Sequence, residues 1–350
     1  MIRHPVSRAR DCALRAWGFL ICLAVVLGLA TPAEASFLYQ ATNLGTPPGA
    51  QTTGAVASGI NDAGEIVGST ADQSQAFVDT PSAGFSYLPL PAGATSSSAN
   101  AVNDRGEVVG MYGTSTGGAA FSYTPAAGFR PLGSLGTQSG ANAVNDFGEI
   151  VGLNEIGGHG HAVAYFPSGR IRDLGTLPGG DFSIALGVSD RGEIVGAAST
   201  AGDTGTDAFA YTPATGMLDL GRLPGTTFCA AYGVNDAGDV VGYCESPPGT
   251  TTTAFEYTPA TGMLPLLPLL GGSNVAAAIN NLGQIVGFFA NHAFVYTRSA
   301  GMRDLGTVPG TTSGEAIAIS GNGKIAGDSA TKTPFGPPPN VGLWQPTFTR

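Results

Sequence analysis

Charge is scarce in this 350-residue chain: 11% of its residues are Asp, Glu, Lys or Arg, about half the share of an ordinary globular domain. Fifteen Lys and Arg stand against 25 Asp and Glu, for a formal charge of −10. Four of the fifteen, Arg3, Arg8, Arg10 and Arg15, crowd at the N-terminus. Contact with a phosphate backbone needs clustered cations, so nucleic acid is not an expected partner. Long apolar runs are also lacking. The one present, Gly18 to Ala30, is short of the ~20 residues that span a bilayer, and no membrane anchor is expected after it. Cysteine is limited to Cys12, Cys22, Cys229 and Cys244.

The N-terminal pattern of arginines, an apolar run and then "TPAEAS", with Ala33 and Ala35 at the small positions, reads as a secretory signal peptide over 1–35 cut near Ala35. Cys22 follows Ile21 rather than a small residue, which argues against a lipid anchor, and no adjacent arginine pair suggests the twin-arginine route. The expected product is secreted or periplasmic, a compartment that permits a disulfide between Cys229 and Cys244. A symmetric four-residue turn between them would set the two cysteines opposite each other. A three-residue bulged loop would slip them by one.

What is abundant is glycine, 54 residues, and proline, 24, which with Val and Thr points to an all-β chain of many turns. One phrase recurs seven times with anchors at Asn61, Asn103, Asn145, Ser189, Asn235, Asn280 and Ser320, spaced 42, 42, 44, 46, 45 and 40 residues apart. That period suits a four-stranded propeller blade. Each period holds a small-residue strand such as "ANAV", then "EIVG", a strand like "AFAYTP" and one like "MLDLGRL". In NDxG, Asn closes an Asx turn and Gly takes the positive φ of a hairpin corner; "YTPATG" at Tyr211 and Tyr257 supplies a second corner.

In the first strand, the positions one and three before the last apolar residue are always Ala or Gly: Ala57 and Gly59, Ala99 and Ala101, Ala141 and Ala143, and so on through Ala316 and Ala318. With a period of two they share one face, opposite Ile60, Val102 and their counterparts. Such a strand belongs where blades converge, at the centre of a ring. Leu44, Gly45 and Thr46 match Leu305, Gly306 and Thr307, while "VGLWQPTFTR" matches a third strand. The N-terminal strand is therefore expected to complete the last blade and remove two open edges. The fold is read as one seven-bladed β-propeller over 36–350, built from seven repeats of ~43 residues.

NDxGxIVG together with His292, Ala293 and Phe294, loosened to His161, Ala162 and Val163, resembles the bacterial HAF extracellular repeat family. The resemblance spans nearly all of the chain after the leader. It implies secreted or cell-envelope proteins with propeller-like repeats and no assigned activity.

Candidate chemistry is sparse. Asp62, Asp104, Asp146, Asp190 and Asp236 recur at the turns with Glu65, Glu107, Glu149, Glu193 and Asp239. They read as a crown of solvated carboxylates; Ca2+ is the one cofactor considered, and each loop brings fewer oxygens than calcium loops usually do. His159 and His161, two apart, need a third ligand such as Glu155 to hold a metal. His161 shares its repeat slot with His292, Gln75, Asp207 and Thr253, which favours packing or hydrogen bonding. "SATK" from Ser329 to Lys332 has an acylating-enzyme spacing but no helix to bring Ser and Lys together. Asp328 and Ser329 in "GDSA" have no evident triad partners. Phe121, Tyr123, Phe209, Tyr211, Phe255 and Tyr257 recur regularly enough to be core between blades. The connections from second to third strand vary and share the face opposite the acidic turns, where recognition usually resides. The expected function is non-enzymatic binding of a protein or glycan there, with Glu155, His159, Asp181, Asp203, Asp207 and Glu245 as loop candidates. The alternative is a polysaccharide hydrolase or lyase using Asp181, Asp203 and Glu245 at a channel mouth.

Overall fold

A computed structural model describes residues 38–50, 54–201, 205–247, 251–266, 272–330 and 339–347; the expected signal peptide over 1–35 lies outside them. Every regular element among the described residues is a β-strand. The strands form seven antiparallel groups of four. Blades 1 to 6 occupy residues 55–87, 96–131, 139–175, 183–221, 228–265 and 274–306, each with its strands paired in chain order. Blades 4 and 5 also meet through one parallel bridge, Thr206 to Phe228.

Blade 7 takes three strands from the C-terminal end, Ser313–Ile319, Ile325–Ala330 and Asn340–Thr347. Its fourth is the N-terminal strand Leu38–Gly45, antiparallel to the third with Leu38 opposite Thr347 and Thr42 opposite Leu343. Among the described residues no sheet closes on itself; the ring closes by packing. The first strand of every blade touches the first strands of both neighbours, around to blades 7 and 1.

Seven hydrophobic clusters sit between the blades, one per seam. The seam between blades 1 and 2 joins Val67, Ala76 and Leu88 to Ala99, Val102, Val108 and Phe121. The closing seam joins Ala326 and Val341 of blade 7 to Ala57, Ile60, Ile66 and Phe77 of blade 1. Phe77, Phe121, Phe209, Phe255 and Phe294 are fully buried third-strand plugs, and Trp344 is the fully buried plug of blade 7. Burying such rings contributes roughly 1.5–3 kcal/mol each, so the repeating aromatics are core, as their periodicity suggests.

The inner strand departs from strict alternation. In every blade a β-bulge falls between the two small residues: at Ser58, Asn100, Asn142, Leu186, Tyr232, Ala277 and Ile317. One extra residue reverses the faces beyond it. Ala57 and Ile60 thus pack together against blade 7. Gly59 turns toward blade 2, where an added Cβ would lie 3.1 Å from Ala101 Cα. The small residues therefore face opposite seams, not one, and each is small for its own close approach.

The same bulge explains the glycine of "IVG". At Gly68, Gly110, Gly152, Gly196, Gly242, Gly287 and Gly327 a Cβ would collide with an inner-strand carbonyl oxygen of the same blade, that of Gly140 in the case of Gly152. The turn is a three-residue loop. Asn235 N–H donates to Asp239 O at 3.1 Å, Gly238 N–H to Asn235 O at 3.0 Å, and Gly238 has φ +80°. Such a loop alone would slip the cysteines by one residue. The bulge at Tyr232 restores the register, so Cys229 and Cys244 stand opposite, with Cα atoms 4.0 Å apart, and form a disulfide.

Candidate functional site

The inner strands surround a channel with two unlike mouths. At the turn mouth each Asn anchor is used twice. Asn103 Oδ1 accepts the N–H groups of Arg105 at 3.1 Å and Glu107 at 2.9 Å, while Asn103 Nδ2 donates to Asn145 O of the next blade at 2.9 Å. Asn61, Asn145 and Asn280 donate onward in the same way. The aspartates form a second chain: the N–H groups of Asp62, Asp104 and Asp146 donate to the carboxylates of Asp104, Asp146 and Asp190 at 2.7, 2.8 and 2.9 Å. Asn322 N–H donates to Asp62 Oδ1 at 2.9 Å, which ties blade 7 to blade 1.

These acids are therefore bonds between blades as well as solvated turn residues. Their crowding has an electrostatic consequence. Burial, followed by repulsion from Asp146, Asp62 and Asp190, holds the Asp104 carboxyl above the usual carboxylate range. Burial with repulsion from Asp146 and Asp236 does the same to Asp190. Ser189 lacks the amide of its counterparts, and among the described residues the seam from blade 4 to blade 5 has neither bond. There the Asp236 Oδ1 atom is buried without a partner. No group of three or more His, Cys, Asp and Glu among the described residues is arranged to hold a metal ion.

Toward the loop face the channel widens into a cavity of about 670 Å3, within the range of small-molecule sites. The seven bulged residues all line it, and they divide it. Ser58, Asn100 and Asn142 make a polar wall; Leu186, Tyr232, Ala277 and Ile317 make an apolar one. Asn100 Nδ2 donates to Ala141 O and Asn142 Nδ2 to Ala185 O, both at 2.8 Å. One N–H of each amide is thus engaged across a seam. The cavity extends off-axis toward blades 5 and 6, where Tyr243, Glu245, Thr252, Val275 and Phe288 join the lining.

Blade 5 carries the cluster that gives this extension its character. The Tyr243 ring stacks on Tyr232 at 5.6 Å and 26°, and lies 5.8 Å from Phe228 on its other flank. Phe228 and Tyr232 come from the inner strand Phe228–Val234; Tyr243 and Glu245 lie two apart on Val240–Ser246 and so point to one side. Burial, then the neighbouring Tyr232 hydroxyl and the Glu245 carboxylate, push the Tyr243 phenol well above its ordinary value. It stays protonated and serves as a hydrogen-bond donor. The disulfide joins the alternate positions of the same two strands, with its sulfurs in the cluster shared with blade 4.

Of the six loop candidates, Glu245 lines the channel. His159 and Asp181 pair with each other at 3.5 Å in the open, 53% and 71% exposed. Glu155 occupies in blade 3 the slot that Glu245 has in blade 5, and its N–H donates to Gln138 O at 2.9 Å. Asp207 is held in an ion pair with Arg222 at 2.7 Å. Asp203 lies outside the described residues. Asp181, the remaining described member of the supposed acid trio, is not in the channel lining with Glu245. His161 and His292 each bond the fourth-strand acid of their own blade, Asp173 at 3.1 Å and Asp304 at 2.9 Å. Ser329 is a buried strand residue whose hydroxyl donates to Asn340 O at 3.3 Å; Lys332 lies outside the described residues.

The sequence reading passed over Tyr232, Tyr243 and Phe228. The signal was present: Tyr232 puts an aromatic ring between the two small residues of the inner strand, a position filled in the other copies by Ser, Asn, Leu, Ala or Ile. No protein-family model and no curated protein matches the chain. Solved structures do. A streptogramin B lyase structure is similar over 88% of this chain and 98% of that one, at 13% identity and a TM-score of 0.58. A virginiamycin B lyase from Staphylococcus aureus is similar over 88% and 99%, at 14% identity and 0.57. An oligogalacturonate lyase in complex with manganese is similar over 89% and 94%, at 10% identity and 0.54. At such identities the likeness is one of architecture, and the chain has the β-propeller fold.

Proposed function

We propose that this chain is an exported, non-enzymatic binding propeller that takes a glycan at the loop mouth of its channel, with blade 5 as the reading element. The observation that carries this is the Tyr232–Tyr243 stack beside Glu245 in a cavity of about 670 Å3. Aromatic faces and nearby polar groups suit the mixed apolar and hydroxylated surface of a sugar ring. A concave site of this size suits a chain end or a short segment better than a flat protein surface. The disulfide beneath it supports export, as do the leader pattern and the resemblance to HAF-type repeats.

Several of the similar propellers are lyases. In this site the Tyr243 phenol and the Glu245 carboxylate stand beside a stacked aromatic pair, a set of groups that suits holding a sugar ring. A glycan array with a parallel assay for released reducing ends and unsaturated products tests the proposal. Saturable glycan binding that Tyr243→Ala weakens, with no product formed, is the expected result. Product formation would overturn the non-enzymatic reading. Binding of proteins but not glycans, or binding indifferent to Tyr243→Ala, would overturn the site.

A further inference from the structure

Resting on that reading, we infer that the glycan this site selects carries a free amine, so that the channel mouth is a receptor for a cationic sugar such as a de-N-acetylated hexosamine. Three independent features of the lining share one polarity. Glu245 is the only charged residue among the described lining of the cavity, and no Lys, Arg or His accompanies it. Tyr232, Tyr243 and Phe288 line the same space; the two tyrosines stack on each other, and a ring face left free of that stack attracts a cation. Across the channel, Asn100 and Asn142 each turn one amide N–H to the neighbouring blade and can offer their carbonyl oxygens as acceptors.

The far mouth repeats the sign. Asp104, Asp146, Asp190 and Asp236 line a second cavity at the turn end of the same axis, and their field runs along a channel walled by low-dielectric core. An anionic sugar would meet repulsion from both ends. A neutral one would leave Glu245 without a charged partner. An ammonium satisfies the carboxylate and the ring faces together.

The repeat sharpens the assignment. The slots of Tyr232, Tyr243 and Glu245 hold Ser58, Ser69 and Ala71 in blade 1, and Ala277, Phe288 and Ala290 in blade 6. Folding a blade does not require two stacked tyrosines and a carboxylate there. Blade 5 is also the blade whose two inner strands are covalently joined, Cys229 beside Phe228 and Cys244 between Tyr243 and Glu245. The bond fixes the spacing of the groups that would close on the ligand, which lowers the ordering cost of binding.

Titration calorimetry of the full chain with the glucosamine tetramer and the N-acetylglucosamine tetramer tests the inference. The free-amine tetramer is expected to bind about tenfold or more tightly than the acetylated one, the scale of a desolvated cation–π and carboxylate contact. Glu245→Gln should erase that preference, Glu245→Asp should retain it, and Glu155→Gln, in the same slot of blade 3, should leave it intact, all at matched melting temperatures. Equal binding of the two tetramers, weakened by Tyr243→Ala, would overturn the cationic preference and leave the glycan reading standing. Failure of both tetramers to bind would overturn the inference as well, with the glycan reading then decided by the array. A preference that survives Glu245→Gln would overturn the role of the carboxylate.

Discussion

The two mouths of the channel are built from the same seven inner strands and obey different rules. At the turn mouth most copies use the same bonds: an Asn amide donates to the next blade, an aspartate or asparagine oxygen accepts from the previous one, and a glycine turns the corner. At the loop mouth the bulged residue is Ser, Asn, Leu, Tyr, Ala or Ile, according to the blade. One rim needs repetition because it holds the ring together. The other is free to vary because the bulge projects its residue into open space, where packing sets no constraint.

Removing residues 38–45 attacks what both rims depend on, since those residues are the outer strand of blade 7. The ring loses its closure and exposes a sheet edge, and loss of a cooperative melting transition is the expected outcome. A melt like that of the intact chain would show that blade 7 is completed otherwise. Reduction of Cys229–Cys244, a loop of 15 residues, should cost up to about 3 kcal/mol and weaken ligand binding more than distant destabilisation does. Equal loss of affinity in a comparably destabilised blade 3 variant would count against a local role for the bond.

Gly152→Ala separates the two rims further. Its Cβ would meet the Gly140 carbonyl, a backbone atom that has little room to yield, so a loss of about 1–3 kcal/mol is expected with affinity at blade 5 unchanged. A melting temperature equal to wild type would contradict the bulge as the reason for the glycine. A smaller effect concerns the closing seam. Asp328 Oδ1 accepts the Ala57 N–H of blade 1 at 2.7 Å, and Asp328 stands directly across from Glu315. Burial first, and Glu315 second, raise its carboxyl to about 7 against the pull of that N–H.

A folded-state value above the unfolded one means the folded chain binds the proton more tightly. The resulting stabilisation is complete below about pH 4 and is lost as pH rises through about 7. Asp328→Asn should therefore raise the melting temperature at pH 8 relative to wild type and leave it nearly unchanged at pH 4. Equal shifts at both pH values would contradict the assignment.

Much of the fold was legible because closure and period leave plain marks. Leu44, Gly45 and Thr46 repeat Leu305, Gly306 and Thr307, and the N-terminal strand does complete blade 7. The bulge was not legible. Ala57 and Gly59 satisfy period two in the sequence, and one inserted residue reverses that parity without changing composition. Its trace was the invariant glycine of "IVG", which periodicity alone did not explain. The site suffered from a related blindness. Acids in the loops drew notice because charge is chemically conspicuous, yet Asp207 is bound to Arg222 and Asp181 to His159. Tyr232 and Tyr243 lie outside the recurring third-strand aromatics, and only the register of the first two strands of blade 5 brings their rings together.

The most direct test is the affinity of the full chain for the proposed glycan ligand after replacing Tyr232 and Tyr243 with alanine, singly, at a melting temperature within about a degree of wild type. Each side chain removed should weaken binding by roughly 1–2 kcal/mol of aromatic contact, about five- to thirtyfold, with the propeller intact. Undiminished affinity in both variants would contradict the placement of recognition in blade 5.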